Sequence, residues 1–596
     1  MSDNTPLNLP PRRRPPAQQR SQRPWLIAGA VGLVLLCVCA ILGIVASRQL
    51  LDLNGGGGDD VDRLVTDPDT AVLTVAVSPA MASTFRQLAE GFNAQNLTTA
   101  DGQSMDVQMI VLDPEKMVEQ SLGQPTFQAV NPDSSLWLNQ LEQRWSLQQS
   151  LGEGTVDTTI PIGTRRINAP VRYATSPVVI AAWESVAQEL SWPQEPVGWQ
   201  QIQRKATNDP NFKWNHPSTS NASGLLATLA EFYAGAGLTR GLTEEAATDE
   251  ATIDYVREVE STVRFYGEGE EVIFERLQAE GRNFLDAFVV QEQFVLRWNQ
   301  TDPVEELVAI YPAEGTLWAD HPLALLELSG PGETPLADNQ RRTYQAFVDY
   351  ITGAEAQARL LAAGFRPADL SIDLSAPGSP FADNPAVDWR QPQTTLQMPS
   401  PAVVEVVQNV WWYTKRPTNV YLVVDTSGSM EGSKLATTQE ALKAFIDQMR
   451  GDRDQVGLIE FSSGVQRVSP LRRLDESSRA ELNEVIDSMY AGGNTALIDA
   501  VRTAYTYLLN REDQEAINAI VVMTDGQENA SEYSLQELQE QFQNTEAAQI
   551  VIFTIGFGKD VDAYMLEDIA EIGGGQFRRA DETDIEELYK IISTYF

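Results

Sequence analysis

Cysteine and histidine are scarce in this chain of 596 residues. The two cysteines, Cys37 and Cys39, lie inside one apolar N-terminal run, so the rest of the chain can hold neither a disulfide framework nor a cysteine-based zinc cluster. The two histidines, His216 and His321, are far apart in sequence, which argues against histidine-based catalysis and a histidine-rich metal site. His216 precedes Pro217 and is interpreted as a turn residue rather than a ligand.

Positive charge is also in short supply. Lysine and arginine number 43 against 83 aspartates and glutamates, which gives a formal charge of −40 and a pI near 4.3. Nucleic-acid binding requires basic patches, so that class of function is excluded. The acidity is interpreted as a well-solvated surface. The length exceeds what one hydrophobic core accommodates, and we expect two or three domains joined by linkers.

The N-terminal segment combines basic residues with a long apolar run. Residues 1–24 are proline-rich with clustered arginines, and residues 25–47 are almost all apolar or small, long enough for a transmembrane helix. The positive-inside rule leaves residues 1–24 in the cytoplasm, and a Gly/Asp tether over 48–70 follows. A cleaved signal peptide is the alternative. The sequence therefore predicts a single-pass cell-membrane protein whose C-terminal bulk is extracellular.

Residues 71–370 alternate strand-like and helix-like stretches, which predicts α/β architecture. The strand-like AVLTVAV over 71–77 is followed by Ser78 and a helical stretch from Met81, and such junctions recur. Hydroxyls and backbone N–H groups at a helix start can bind an anion or a polar small molecule. The alternative for each serine is a helix N-cap, worth about 1 kcal/mol.

A family resemblance in this region is carried by the order of several stretches. They are VAVSPAM (75–81), NPDSSLWL (131–138), YATSPVVIA (173–181), HPSTSNASGL (216–225), LVAIYPAEGT (307–316) and AAGFRPAD (362–369). The region resembles a bacterial extracellular solute-binding protein of the two-lobed periplasmic type. The resemblance implies one lobe near 71–175 plus 305–370, a second lobe between them, and a small-molecule or anionic solute in the cleft. The implied ligand contacts are Ser78, Ser135, Ser176, Ser218, Ser220 and Tyr311. A scaffold that has lost its solute and binds protein instead stays open.

The remaining chain divides into a connecting segment and a third domain. Residues 371–414 are interpreted as a linker that ends in an amphipathic stretch from 401. Residues 415–596 alternate Val/Ile-rich strands with helices, which predicts a doubly wound, mostly parallel sheet covered on both faces. A closing helix is expected over 583–594.

Polar residues follow the predicted strands of the third domain. Asp425, Ser427 and Ser429 form a DxSxS string directly after one strand, Thr495 lies in a GGNT loop, and Asp525 follows another strand. A doubly wound sheet brings such positions to one edge. Carboxylates and hydroxyls are an all-oxygen set that suits Mg²⁺, with Mn²⁺ and Ca²⁺ as alternatives. Helix capping by Asp425 and Ser427 is the competing interpretation.

DxSxS, the threonine of GGNT and the aspartate of MTDG together resemble the metal-ion-dependent adhesion site of the von Willebrand factor type A family, over residues 415–596. The resemblance implies hydroxyl ligands from Ser427, Ser429 and Thr495, with Asp425 and Asp525 acting through metal-bound waters. It also implies an open coordination position that an acidic side chain of a protein partner completes.

Three classes of function are compatible with these features to different degrees. The leading hypothesis is a membrane-anchored bacterial surface protein that binds a protein partner through a divalent ion and senses or presents a solute. The alternative is a tethered receptor of an ATP-driven importer with an accessory third domain. A Mg²⁺-dependent phosphohydrolase is disfavoured because Ser427 occupies the position where such enzymes place a second acid, so we expect no enzymatic activity.

Overall fold

The computed structural model describes residues 70–152, 165–267, 269–328, 333–511, 513, 515–543, 550–558, 561–581, 585, 588, 589, 592 and 595. The tail, membrane helix and tether predicted over 1–24, 25–47 and 48–70 lie outside these residues, apart from position 70. Most of the closing helix predicted over 583–594 lies outside them as well. Within the described ranges, no helix is both long and apolar enough to cross a membrane.

Helices and strands alternate along the described chain. The helices are α1 (Pro79–Asn93), α2 (Pro114–Ser121), α3 (Ser135–Gly152), α4 (Glu184–Glu189), α5 (Trp199–Asn208), α6 (Ala222–Gly235), α7 (Glu244–Ala247), α8 (Glu250–Glu260), α9 (Glu270–Glu280), α10 (Glu292–Asn299), α11 (Asp338–Ile351), α12 (Ala354–Ala362), α13 (Pro380–Asp383), α14 (Pro401–Thr414), α15 (Ser433–Gln448), α16 (Glu476–Asp487), α17 (Leu497–Leu509), α18 (Leu535–Gln543) and α19 (Ala563–Ile572). The strands are β1 (Val72–Val77), β2 (Asp106–Val111), β3 (Ala129–Asn131), β4 (Val171–Arg172), β5 (Ala174–Trp183), β6 (Trp214–Asn215), β7 (Ala287–Gln291), β8 (Leu307–Ile310), β9 (Trp318–Ala319), β10 (Pro322–Leu325), β11 (Arg366–Pro367), β12 (Thr418–Asp425), β13 (Gln455–Phe461), β14 (Val465–Arg473), β15 (Ile517–Thr524), β16 (Ile550–Phe557) and β17 (Phe577–Ala580).

The first sheet has the strand order β2-β1-β3-β10-β4. Strands β1, β2 and β3 are parallel, and β10 runs antiparallel to both of its neighbours. Helices α1 and α11 cover one face, where the rings of Phe85 and Phe92 lie 5.4 and 5.3 Å from Phe347. Parallel pairing brings the polar ends of β1 and β3, with Ser78 and Asn131, to the same edge of this sheet.

The second sheet is built around the long strand β5. It has the order β11-β5-β7-β6, and β8 and β9 also pair with β5. The sequence predicts that the chain returns to the first lobe near residue 305. In the structure, Ile310 of β8 pairs with Ile180 of β5, so the chain is still in the second sheet at that point. The chain returns between β9 and β10, at Asp320 and His321. Two-residue strands such as β9 carry no periodicity from which this crossing could be predicted.

The segment over 371–400 is irregular but packed. Phe381, Val387 and Leu396 are buried. The backbone N–H of Leu396 donates to the carbonyl of Thr316 at 2.9 Å. The predicted linker therefore packs against the second sheet before α14 begins.

The third sheet has the order β14-β13-β12-β15-β16-β17, parallel except for β14. Every position of β12, β15 and β16 is buried, as expected for strands covered by helices on both faces. Leu422 packs with α15 on one face, and Val423 packs with α17 on the other. The α/β class with a mostly parallel C-terminal sheet is confirmed, whereas β17 was not predicted.

Candidate metal centre

Two neighbouring strands of the third sheet end at the candidate site. Asp425 is the last residue of β12, and Thr524 is the last residue of β15, followed by Asp525. Val424 pairs with Met523, so Asp425 and Thr524 end side by side. The loop after β12 turns through a short 3₁₀ segment over Gly428–Met430 before α15 begins. This register brings residues distant in sequence to one sheet edge.

Hydrogen bonds link four of the five predicted residues. The Asp425 carboxylate accepts from the backbone N–H of Ser427 at 2.7 Å and from the hydroxyl of Thr524. The hydroxyls of Ser427 and Ser429 lie 3.0 Å apart. The Ser429 hydroxyl donates to Asp525 Oδ1 at 2.7 Å. The oxygens of the DxSxS loop and of Asp525 are thus held in one small cluster.

Thr495, the fifth predicted residue, reaches the same cluster. Its backbone N–H donates to Asn529 Oδ1 at 3.0 Å, which fixes the loop in front of α17. A Cβ atom added at Gly526 would lie 3.0 Å from Thr495 Oγ1 and 3.5 Å from Ser429 Oγ. The two hydroxyls therefore border the space beside Gly526, which a larger residue would fill.

The charges around this space are unbalanced. The carboxylates of Asp425 and Asp525 are both buried, and the ammonium of Lys434 lies 2.5 Å from Asp525 Oδ2. Burial raises the pKa of Asp425 to about 6, hydrogen bonds from Thr524 and Ser427 oppose the rise, and Asp525 adds to it. Two buried carboxylates, three hydroxyls and a glycine-lined space fit a hard divalent cation.

Sequence reasoning missed Lys434 and Thr524 at this site. Thr524 directly precedes the predicted Asp525, and its position at the end of a buried strand was the available signal. Lys434 lies in the first turn of α15 and approaches Asp525 only because α15 packs beside β15. No spacing in the sequence indicates that contact.

Three of the residues predicted to line the solute cleft are occupied by internal hydrogen bonds. Ser135 donates to Asp320 through its backbone N–H at 2.6 Å and through its hydroxyl at 2.5 Å. The Ser176 hydroxyl accepts from the backbone N–H of Gln293 at 3.2 Å. The Tyr311 hydroxyl donates to Glu292, which also pairs with Arg366 at 2.5 Å.

The other three predicted cleft residues have fewer contacts. The hydroxyl of Ser78 is buried and has no hydrogen-bond partner among the described residues. The hydroxyls of Ser218 and Ser220 lie 3.4 Å apart. Asp133, beside the end of β3, was not predicted. Burial and then the nearby Glu270 raise the pKa of its carboxyl to about 8.

Replacing Ser135 with alanine is expected to lower the free energy of unfolding by about 1–2 kcal/mol, because the variant loses a hydroxyl bond to the Asp320 carboxylate. Urea unfolding of the full chain measures the change. Ser375→Ala is the control, since that hydroxyl donates to Asp373 on an exposed loop and its removal should leave the unfolding midpoint unchanged. A Ser135→Ala midpoint equal to wild type would show that this hydroxyl is not structurally engaged.

Comparisons with known proteins identify both regions. Residues 419–591 match the von Willebrand factor type A domain, and residues 73–366 match the bacterial extracellular solute-binding protein family. The inter-alpha-trypsin inhibitor heavy chain H4 of Sus scrofa is 32% identical over 190 residues, 30% of this chain and 20% of that protein. The chain thus spans about a fifth of the length of that curated relative.

Two solved structures are similar to separate parts of the chain. The von Willebrand factor type A protein from Catenulispora acidiphila has 23% identity and a TM-score of 0.28, over 30% of this chain and 42% of that one. The sulfate-binding protein SubI from Mycobacterium tuberculosis H37Rv has 18% identity and a TM-score of 0.35, over 53% and 93%. Both domain resemblances predicted from the sequence are confirmed by the family matches.

Proposed function

We propose that this chain, which joins a bacterial extracellular solute-binding domain to a von Willebrand factor type A domain, is a membrane-anchored surface protein that binds a protein partner through a divalent cation. The observation that carries the proposal is a cluster of oxygens in which the hydroxyls of Ser429 and Thr495 border the space beside Gly526 and Ser429 is hydrogen-bonded to Ser427 and Asp525. The cation, Mg²⁺ in the first instance, supplies an electrophilic centre for an incoming carboxylate.

The protein's own residues prepare this site for a ligand. Thr524 and the backbone of Ser427 orient the Asp425 carboxylate, so its oxygens are fixed before any ion arrives. The hydroxyls of Ser427, Ser429 and Thr495 are neutral, and if Asp425 and Asp525 act through metal-bound waters, much of the positive charge of a bound ion would remain for an incoming group. An acidic side chain on a partner is therefore the group that this site attracts.

Exposed aromatic residues close to the site support a protein partner. Tyr490 is 75% exposed and lies two residues before Gly492, whose N–H donates to the carbonyl of Thr426 at 2.8 Å. Tyr533 is 37% exposed and stacks on the guanidinium of Arg502. Tyrosine and arginine are enriched at protein interfaces. A partner seated over the cation would lie close to Tyr490, because Gly492 is bonded to the loop that carries Ser427.

The solute-binding domain supports a second candidate function, that of a tethered receptor for an ATP-driven importer. The observation that favours a bound solute is the buried hydroxyl of Ser78 at the sheet edge, which has no hydrogen-bond partner among the residues that the structure describes. Burial and the nearby Glu270 raise the pKa of Asp133 to about 8, so near neutral pH this residue offers a protonated carboxyl at the junction of the two lobes, which favours a neutral, hydrogen-bonding solute. Calorimetry of the full chain against amines, sugars and anions separates the two functions, because tight solute binding is required only of a receptor or sensor.

Partner binding is expected to require both the cation and Thr495. The immobilised full chain is exposed to solubilised bacterial envelope proteins in Mg²⁺ or in EDTA, and the retained proteins are identified by mass spectrometry. Proteins that bind in Mg²⁺, elute in EDTA and fail to bind Thr495→Ala support the proposal. Thr503→Ala is the matched control, because that hydroxyl donates to the backbone carbonyl of Asp499 within α17. Binding that persists unchanged in EDTA would contradict the proposal.

A further inference from the structure

A second cluster of metal-ligating side chains lies in the solute-binding domain, away from the DxSxS loop. His216 follows β6, Glu231 lies within α6, and Glu260 is the last residue of α8. All three side chains are fully buried. One ligand atom from each lies within 4.8 Å of the other two. The sequence interpretation of His216 as a turn residue does not account for this arrangement.

The hydrogen bonding of His216 leaves one ring nitrogen facing a carboxylate. Its Nδ1 lies 2.8 Å from the carbonyl oxygen of Pro217, a group that can only accept, so Nδ1 carries a proton. Its Nε2 lies 3.2 Å from Glu260 Oε2. In a neutral imidazole, Nε2 then presents a lone pair to the carboxylate oxygen. Two acceptors at this separation require either a second proton, on Nε2, or a metal ion bound by both atoms.

Glu260 is oriented by two donors from different segments. The indole N–H of Trp411 donates to Oε1 at 2.6 Å, and the hydroxyl of Tyr266 donates to Oε2 at 2.8 Å. Both bonds fix the plane of the carboxylate. Metal ligands are held by outer contacts of this kind, including a histidine N–H donated to a backbone carbonyl as in His216.

Glu231 points to a missing positive charge. Both of its carboxylate oxygens are buried, and neither has a hydrogen-bond partner in the described part of the chain. An ionised carboxylate in that position is strongly unfavourable without a cation. Without a metal ion, these three side chains reach zero net charge only when protons are bound both to the second ring nitrogen of His216 and to one of the two carboxylates, and a divalent ion can take the place of those two protons. A divalent ion bound by a neutral imidazole and two carboxylates brings the net charge of the group to zero.

We propose that His216, Glu231 and Glu260 supply three of the ligands of a buried site for a divalent first-row transition metal, with Zn²⁺ the best match. Imidazole and carboxylate together suit Zn²⁺, whereas Mg²⁺ prefers oxygen ligands and retains waters. Zinc bonds of about 2.0–2.1 Å in a tetrahedron separate the ligand atoms by about 3.4 Å. The 3.2 Å between His216 Nε2 and Glu260 Oε2 is close to that separation.

The site lies where the solute-binding domain meets the start of the C-terminal domain. Trp411 belongs to α14, and the Tyr266 hydroxyl accepts from the backbone N–H of Arg416 at 2.8 Å. The guanidinium of Arg416 in turn donates to the carbonyls of Val263 at 2.9 Å and Ala516 at 3.2 Å. A metal that fixes Glu260 therefore fixes the contacts that hold the two domains together.

Metal content of the full chain, purified without an affinity tag and dialysed in excess Mg²⁺, tests the proposal. We expect about one tightly bound Zn²⁺ per wild-type chain and at least a tenfold weaker affinity in Glu231→Gln and His216→Gln. Co²⁺ substitution should give visible absorption bands in the wild type that are absent from Glu231→Gln. Asp425→Ala should retain the Zn²⁺, which separates this site from the one in the C-terminal domain.

Two control variants remove a buried residue of the same type elsewhere. Glu270→Gln alters a carboxylate whose oxygens accept from Ser223 and the backbone of Gln291, and His321→Gln alters a histidine bonded to the Gln291 side chain. Both should retain the metal. Folded Glu231→Gln and His216→Gln that keep wild-type affinity would overturn the proposal. If these variants do not fold, X-ray absorption of the wild type decides: an imidazole nitrogen with oxygen ligands supports the site, and no Zn²⁺ uptake or a shell without imidazole overturns it.

Discussion

Replacing Asp454 with alanine is expected to lower the free energy of unfolding by about 3–5 kcal/mol. Asp454 Oδ1 lies 2.9 Å from the ammonium of Lys415, and both side chains are 1% exposed. The same carboxylate accepts from the backbone N–H groups of Thr418 and Gly451, each at 3.0 Å. The variant therefore leaves one buried ammonium and two backbone donors without their acceptor. The rings of Tyr266 and Trp412, 6.0 and 5.7 Å from the ammonium, cannot replace a carboxylate.

Denaturant unfolding of the full chain, followed by tryptophan fluorescence, measures this loss. Lys415→Met removes the charge from the other side of the pair. The double variant Lys415→Met/Asp454→Asn should lose less unfolding free energy than the two single variants lose together. Lys443→Met is the matched surface control, since that lysine bridges Glu440 and Asp487 in solvent and should cost less than about 1 kcal/mol. An Asp454→Ala variant within about 0.5 kcal/mol of wild type would show that the buried pair contributes nothing net.

The C-terminal domain was predictable from sequence to a large extent because its local and tertiary signals agree. The hydrophobic pattern of the sequence predicts a strand over 455–461 and helices over 497–509 and 563–572, and the structure has these three elements with the same bounds. Fully buried Val/Ile runs bounded by polar turns leave little ambiguity about such elements. The five residues that the structure brings together at the candidate site could be selected from the sequence because each follows a strand or lies in a glycine-flanked loop. Lys434 was missed because only helix packing brings it to Asp525.

The family of the solute-binding domain was predictable from the sequence. The places where the chain crosses between the two lobes, and the cluster of buried ionisable side chains, were not. Strands β9 and β11 are two residues long and exist only because they pair with β5. His216, Glu231 and Glu260 come from a loop and two helices that are separated along the chain, so no motif connects them. The scarcity of histidine correctly argues against a histidine-rich site. It says nothing about one histidine that tertiary packing places between two carboxylates.

Asp425→Ala is expected to weaken divalent-cation binding at the DxSxS loop by about 100-fold, because a carboxylate that orients the site is lost together with its bonds to Thr524 and Ser427. Lys434→Met should have the opposite effect and strengthen binding, since its ammonium holds Asp525 Oδ2 at 2.5 Å and repels an incoming cation. Electron paramagnetic resonance of Mn²⁺ titrated into the Zn²⁺-saturated full chain measures both affinities.

Lys443→Met, on the same helix but paired with Glu440 and Asp487, controls for the change in net charge and should bind Mn²⁺ as the wild type does. Equal Mn²⁺ affinity in folded Asp425→Ala and wild type would exclude this loop as the cation site.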